Sequence, residues 1–527
     1  AHQSRAGNAA ARESKPVCAR FGGVFAALAI VGAAAAADRH VLLGLRDGTL
    51  TAPANPIDGL PLGQTLRFAE LRHAYEAGEL ARYLAFFRGL GLNNISLDLP
   101  WAQIEAERGQ YDFRVADACL AAVRAAGMSV QLKLNSRALP PWATARPEAL
   151  MHDPDGTVVT KGFIRAPYHS LADPEINRAL QAFYRETARR YRGEGILFYS
   201  SAFGASLESE YHHSVWTDFS PAAQAQLRSW LQAQYRNLAK LNTAWRTEFP
   251  SWEACRLAWR PPDTLHDGRP DPRYTDFIRF REWSTRHFFD QIITALKEGD
   301  PEARYAPQVG RIVGPVEARR GTPGVFSWAA RADWVFVDPA PDDDCDWEVA
   351  VARCGGKRVA VELDGPLAFR GKRLGDQMPA LYPSQTRQCY AQGADYVAFA
   401  NWNREADFHQ YRAMFLETSR VKQALYPRAP ASVAVYVSKW DCYLFGRPAE
   451  GSVAAAHERF RQLRAAGASV DVLIDDVILA NPAVLDRYRA IHLGSPGVVA
   501  APVWERLQAV DRRLVIDPSG PPPLLLP

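Results

Sequence analysis

The sequence predicts a (β/α)8 TIM barrel followed by a small flavodoxin-like or Rossmann-like α/β domain. Three observations carry that expectation. The chain has 527 residues, enough for more than one domain at ~100–200 residues each. From residue 38 to about 430, short runs rich in Val, Ile and Leu alternate with longer amphipathic stretches, the pattern of buried parallel strands separated by covering helices. The alternation pauses at Tyr426-Pro427-Arg428-Ala429-Pro430 and then restarts.

The strand-like runs are His40–Leu45, Asn94–Leu99, Ser129–Leu134, Ile196–Ser200, Arg304–Pro307, Asp333–Val337, Arg358–Glu362 and Tyr396–Ala400. Residues 358–362 read Arg-Val-Ala-Val-Glu, short and apolar as a strand buried on both faces is. Between the runs, residues 113–126 set Val115, Cys119, Leu120 and Val123 along one helical face. Asp173-Pro174-Glu175 opens another helix, with an N-cap followed by Pro at the first helical position. Eight strands alternating with helices make a barrel over 38–430, with its largest insertion, about 202–274, after the fourth strand. An open doubly wound sheet is the alternative, but no G-x-G-x-x-G follows the first run. Strand 432–437, helix 454–466, strands 470–474 and 490–493, helix 502–510 and strand 513–516 build the second domain, 431–527. Its closing Pro-Pro-Pro-Leu-Leu-Leu-Pro reads as a cut end.

Composition narrows the classes. A 47% hydrophobic chain is neither disordered nor collagen-like. The 62 basic and 58 acidic residues nearly cancel to +4, and without a basic patch a nucleic-acid partner is not expected. Arg12, Lys15 and Arg20 precede an apolar run, 21–37, that ends in alanines before Asp38. Residues 1–37 are therefore expected to be a secretory signal, or an uncleaved N-terminal anchor, and the protein periplasmic or secreted. Seven Cys and no C-x-x-C make neither a disulfide scaffold nor a zinc cluster. Cys345 and Cys354 flank a helix as a candidate pair. The 14 Trp either fill the core or stack on a flat ligand such as a sugar.

In such barrels the chemistry sits at the carboxyl ends of the strands. Strand four is followed by Phe203-Gly204-Ala205-Ser206-Leu207-Glu208-Ser209-Glu210-Tyr211-His212-His213, and strand seven ends in Glu362-Leu363-Asp364. Two carboxyl groups facing each other across a barrel mouth suit glycoside cleavage, one protonating the leaving oxygen while the other attacks the anomeric carbon. Taken singly, either cluster also reads as a solvated loop. The other strand ends supply Trp101, Asn135, Gln308, Asp338, Asn401 and Trp402. Rings would pack on a sugar's apolar face and amides or carboxylates would bond its hydroxyls, the alternative being rim contacts. His212-His213 lacks further ligands and reads as two exposed loop histidines. Asp342-Asp343-Asp344 lacks calcium-loop spacing and reads as a turn opening a helix. No metal or cofactor is expected.

Asn94–Phe113, reading Asn-Ile-Ser-Leu-Asp-Leu-Pro-Trp-Ala-Gln-Ile-Glu-Ala-Glu-Arg-Gly-Gln-Tyr-Asp-Phe, resembles the second-strand segment of retaining glycosidases, especially the family 42 β-galactosidases. Leu139-Pro140-Pro141-Trp142, Pro147-Glu148, Asp155-Gly156 and Leu241-Asn242-Thr243-Ala244-Trp245 extend the resemblance. From Val433-Ala434-Val435-Tyr436 the chain looks like that family's trimerising α/β domain. The resemblance implies retaining hydrolysis of β-linked glycosides, with an acid/base Glu ending strand four, a nucleophile Glu ending strand seven, and a homotrimer. Glu362 matches the nucleophile and Glu208 the acid/base, with Glu210 as the competing register because Ser209-Glu210-Tyr211 mimics the family's Asn-Glu-Tyr. The family's Asn, which holds the sugar 2-hydroxyl, precedes neither Glu. Residues 204–211, with Glu208-x-x-Tyr211, also resemble the acid segment of β-amylases, which leaves an inverting carbohydrase open. The missing Asn leaves a non-catalytic carbohydrate-binding barrel open as well. Tyr211 and Trp402 complete the expected sugar contacts, since a Trp after strand eight floors the site in such glycosidases.

Overall fold

The computed structural model describes residues 62–527 except 67, 161–166, 204–207, 257–264, 267–268, 315–316, 340–343, 366–377, 401–404, 422–428, 445–446, 495 and 517–521. The expected signal, 1–37, the first predicted strand, His40–Leu45, and the predicted contacts Asn401 and Trp402 lie outside the described residues.

Eight parallel strands close into a barrel: β1 (Leu62–Leu66), β2 (Asn94–Pro100), β3 (Ser129–Asn135), β4 (Ile196–Ala202), β5 (Tyr305–Val309), β6 (Trp334–Val337), β7 (Arg358–Asp364) and β8 (Tyr396–Ala400). β8 pairs with β1 to complete the ring. Seven strands coincide with the expected runs. The first does not: β1 is Leu-Gly-Gln-Thr-Leu, and His40–Leu45 is not among the eight barrel strands. The apolar run at 40–45 has the stronger strand composition, whereas β1 carries a glycine where room is short. A side chain at Gly63 would run into the Tyr396 hydroxyl, which donates to Asn94 Oδ1 at 2.9 Å across the barrel floor. Glycine marks such close approaches inside sheets.

Alternation along the strands then decides what enters the barrel. Phe198, Ala306, Trp334, Phe336, Ala360, Tyr396 and Ala398 form one apolar cluster inside. The β2–β4 side is polar instead, with Gln131 bonded to Ser96 and donating to Ser200 Oγ at 2.6 Å. Two residues further along each strand, the same alternation brings Lys133, Gln308, Asp338 and Glu362 to the carboxyl end.

The covering helices follow their sequence signals. Arg114–Ala125 buries Cys119, Leu120 and Val123. Asp173 caps Pro174–Arg190, accepting from Glu175 N at 3.0 Å and Ile176 N at 2.8 Å. The insertion supplies Pro221–Tyr235 and Leu238–Trp245, which lead to the long helix Pro272–Gly299. These helices build a second core, with Trp216, Trp230, Trp245, Tyr274 and Phe277 packed beside Trp440 and Tyr443 from beyond the barrel.

The C-terminal residues form a four-stranded parallel sheet: β9 (Val433–Val437), β10 (Val470–Ile474), β11 (Ala490–Leu493) and β13 (Leu514–Val515), in the order β10-β9-β11-β13. A separate pair joins β12 (Val498–Ala500) to β14 (Leu524–Leu526). Among the described residues no helix is long and apolar enough to cross a membrane.

Candidate active site

Glu362 stands on β7 itself, in register with Ala398 of β8, and is 4% exposed. Gln308 Nε2 of β5 donates to its Oε1 at 3.0 Å, and Thr65 Oγ1 of β1 donates to its Oε2 at 2.7 Å. Both carboxylate oxygens are thus held by neutral donors on other barrel strands. Such bonds fix where a carboxylate points.

The second carboxylate cluster is built differently. Glu208, Ser209 and Glu210 lie beyond the end of β4 and are tied down by backbone contacts. Glu208 O accepts from Phe203 N at 3.2 Å, Ser209 N donates to Gln308 O at 2.5 Å, and Tyr211 N donates to Arg320 O at 2.9 Å. The Ser209 hydroxyl donates to Ser201 O at 2.7 Å. All three of these residues are buried. Burial first, then the neighbouring Glu210, pushes Glu208 well above the usual carboxylate range, against the opposing charges of Lys133, Arg320 and Arg137. Glu210 has the opposite surroundings. Its Oε2 accepts Gly310 N–H at 3.1 Å and its Oε1 lies 3.3 Å from Arg320 Nε. Two positions apart, one carboxyl group is pushed toward its protonated form by burial, and the other lies against a cation and a backbone donor.

Asp338, just past β6, is half-buried. Its Oδ1 has no hydrogen-bond partner among the described residues. Burial and then Asp364, Glu362 and Glu208 push it well above its ordinary range, while Lys133 pulls the other way. One mouth therefore gathers Glu208, Asp338, Glu362 and Asp364 around Lys133. Asn135, ending β3, donates to Asp98 Oδ2 at 3.1 Å and accepts from Arg137 Nε at 2.9 Å.

Gln308, Asp338 and Glu362 thus meet Glu208 at one end of the barrel. Two expected contacts do not join them. Trp101 is wholly buried, stacks on Phe183, and gives its indole N–H to Glu105 Oε2 at 2.6 Å. It fills the core, as the alternative reading of the Trp excess held. Tyr211 is 4% exposed, with the Arg281 guanidinium 4.0 Å above its ring and Thr285 donating to its hydroxyl at 3.0 Å. It braces the segment from behind. His212, expected exposed, is 2% exposed, and its Nδ1 accepts from Ser214 N and Val215 N, each at 3.0 Å. Asp344 does open a helix, Cys345–Arg353, as its N-cap. Cys345 and Cys354 are both free, and the Cys345 thiol lies against Cys389 instead. No group of three or more His, Cys, Asp or Glu among the described residues is arranged to hold a metal ion.

Sequence reasoning passed over Thr65, Lys133 and Arg320. Lys133 carried a signal, a lysine inside an apolar strand run whose alternation points it inward. Thr65 and Arg320 carried none, because each reaches the site from a distant part of the chain.

The family profile for β-galactosidases of glycoside hydrolase family 42 matches residues 76–340. A β-galactosidase from Arthrobacter sp is 25% identical over 338 residues, covering 61% of this chain and 46% of that protein. One from Thermus thermophilus is 24% identical over 440 residues, covering 73% of this chain and 65% of that protein. The chain therefore spans about half to under two thirds of the length of these relatives. Among solved structures, a β-galactosidase from Rahnella sp. R3 superposes with a TM-score of 0.68 at 19% identity, covering 87% of this chain and 70% of that one. At that identity the match speaks for the fold.

Proposed function

The chain belongs to the family 42 β-galactosidases of the glycoside hydrolases, and from that premise we propose that it hydrolyses terminal β-linked galactosides with retention. The observation that carries the proposal is the pairing of Glu362, held on both oxygens by Thr65 and Gln308, with a Glu208 that burial and Glu210 push well above the usual carboxylate range. Glu208 gives its proton to the glycosidic oxygen as the bond to the leaving group breaks. Glu362 attacks the anomeric carbon from the other face and forms a glycosyl ester. Glu208, now ionised, takes a proton from the incoming water, which displaces Glu362 and returns both groups to their starting states. Asp338 is placed to bond a sugar hydroxyl, and the Arg320 charge keeps Glu210 out of the proton relay.

The test is turnover of a panel of nitrophenyl β-glycosides by the wild-type protein beside Glu208→Gln, Glu210→Gln and Glu362→Gln. Preference for the galactoside, with turnover abolished by Glu362→Gln and dependent on Glu208, supports the reading. Binding of glycans without turnover of any of them overturns it in favour of a non-catalytic barrel. Export through residues 1–37 and trimerisation through the C-terminal sheet belong to the same proposal. They are read by N-terminal sequencing of the protein from cell fractions and by light scattering.

A further inference from the structure

Behind the acid segment sits a buried arginine that the chemistry above does not use. Arg281, on Pro272–Gly299, is 3% exposed, and no carboxylate pairs with it among the described residues. Its guanidinium donates instead to Ala318 O at 3.1 Å and Arg319 O at 2.6 Å. Its face lies over three rings, Tyr211 at 4.0 Å, Trp216 at 5.2 Å and Phe277 at 5.4 Å. A cation spent on helix-end carbonyls and aromatic faces is stabilised without a neutralising anion.

The carbonyls it holds belong to the short helix Glu317–Arg320. All four carbonyls of that turn are engaged: Glu317 O by Gly321 N at 2.8 Å, Ala318 O and Arg319 O by Arg281, and Arg320 O by Tyr211 N at 2.9 Å. From this fixed turn Arg320 reaches Glu210. Gly321 follows at φ 81°, and a Cβ there would meet the Tyr211 ring at 3.2 Å. The next residue on the long helix lines one small cavity with Arg281 and is bonded to the C-terminal domain. Glu282 takes Lys439 Nζ at 2.9 Å and the Tyr443 hydroxyl at 2.8 Å, both from the C-terminal domain, and Lys439 also pairs with Asp476 at 2.6 Å.

The geometry points to Arg281 as a positioning residue for the acid segment, holding Tyr211 and the Arg320 turn in place. Glu282 beside it makes that placement depend on the docked C-terminal domain. This inference rests on the glycosidase reading and adds to it a support for the acid that lies outside the barrel mouth. Glu208 is faced by Glu210 on its own segment, Lys133 and Arg137 at the end of β3, Arg320 on the turn and Asp338 after β6. Arg281 acts on it through position. Loosening the segment admits water and lets Glu208 ionise at lower pH.

The test compares wild-type protein with Arg281→Met, Arg281→Lys and Arg281→Ala on a nitrophenyl β-galactoside across pH. The expected result for Arg281→Met is a fall in kcat of about tenfold or more, a KM within about threefold, and an alkaline limb of kcat/KM moved to lower pH. Added ethylguanidinium restores part of kcat to Arg281→Ala and none to Glu208→Gln. A folded Arg281→Met with wild-type kcat and an unmoved alkaline limb overturns the inference while leaving the glycosidase reading intact. Wild-type protein without turnover overturns both. If Arg281→Met does not fold, Arg281→Lys decides the matter, because it keeps the charge but cannot serve two carbonyls and the Tyr211 face together. A wild-type pH profile in Arg281→Lys then overturns the inference, and a shifted one supports it.

Discussion

The two sides of the barrel mouth hold the same kind of group by different means. Glu362 sits on a strand, and its bonds come from β1 and β5, which the barrel's closure brings beside it. Glu208 and Glu210 sit past a strand end, held by backbone bonds and by a turn that Arg281 fixes from the insertion side. The Glu362 side therefore inherits the rigidity of the sheet, whereas the Glu208 side depends on packing assembled from three separate stretches of chain. On the second side burial pushes a carboxyl group, Glu208, well above its ordinary range.

Mutations on the two sides should differ accordingly. Glu362→Gln should have the largest effect, lowering kcat on every substrate by more than ~10³-fold, because no covalent intermediate forms. Glu208→Gln should cost ~10²–10⁴-fold on alkyl galactosides and far less on a dinitrophenyl galactoside, whose leaving group needs no proton. A Glu208→Gln loss that is equal on both substrates would transfer the acid role to Glu210. Gln308→Leu should lower kcat by about tenfold or more, the worth of a hydrogen bond to a charged group, with a similar loss on activated and unactivated substrates. That even loss would mark a defect on the nucleophile side. Lys439→Met leaves the buried Asp476 and the largely covered Glu282 without their cation and should destabilise the protein by about 3 kcal/mol, read by urea unfolding. Its kcat should fall on the acid side's substrate pattern.

The smallest effect on turnover, none, is expected for Asp441→Asn in the C-terminal domain. Burial pushes Asp441 up to about 8, against the bonds it accepts from Val498 N and Gly497 N. A folded-state value above the unfolded one adds stability that is complete below about 4 and lost as pH rises through about 8. Melting temperatures between pH 4 and 8 should therefore fall less steeply in Asp441→Asn than in the wild type.

Much of the barrel was legible because buried parallel strands announce themselves as short apolar runs, and Asp173 shows that a cap and a following Pro can be read locally. β1 was not legible. Its Leu-Gly-Gln-Thr-Leu has a weak strand pattern, and its glycine answers to the little room that Tyr396 and Asn94 leave at Gly63. The carboxylates of the site were legible from the rule that strand ends carry chemistry. What orients them was not, since Thr65 lies on β1 and Arg320 and Arg281 come from the far side of the insertion. Trp101 misled for a related reason. A residue at a strand end faces either the mouth or the helix layer, and the indole's bond to Glu105 shows that it took the second.

The most direct test of the account is trapping with a 2-deoxy-2-fluoro-β-galactoside bearing a dinitrophenyl leaving group, followed by peptide mapping. One fluorogalactosyl unit on the peptide that contains Glu362, formed as activity is lost, is the expected result. Full turnover of galactosides with no label, and the anomeric proton of the product appearing first in the α configuration, would contradict it and make the enzyme an inverting one.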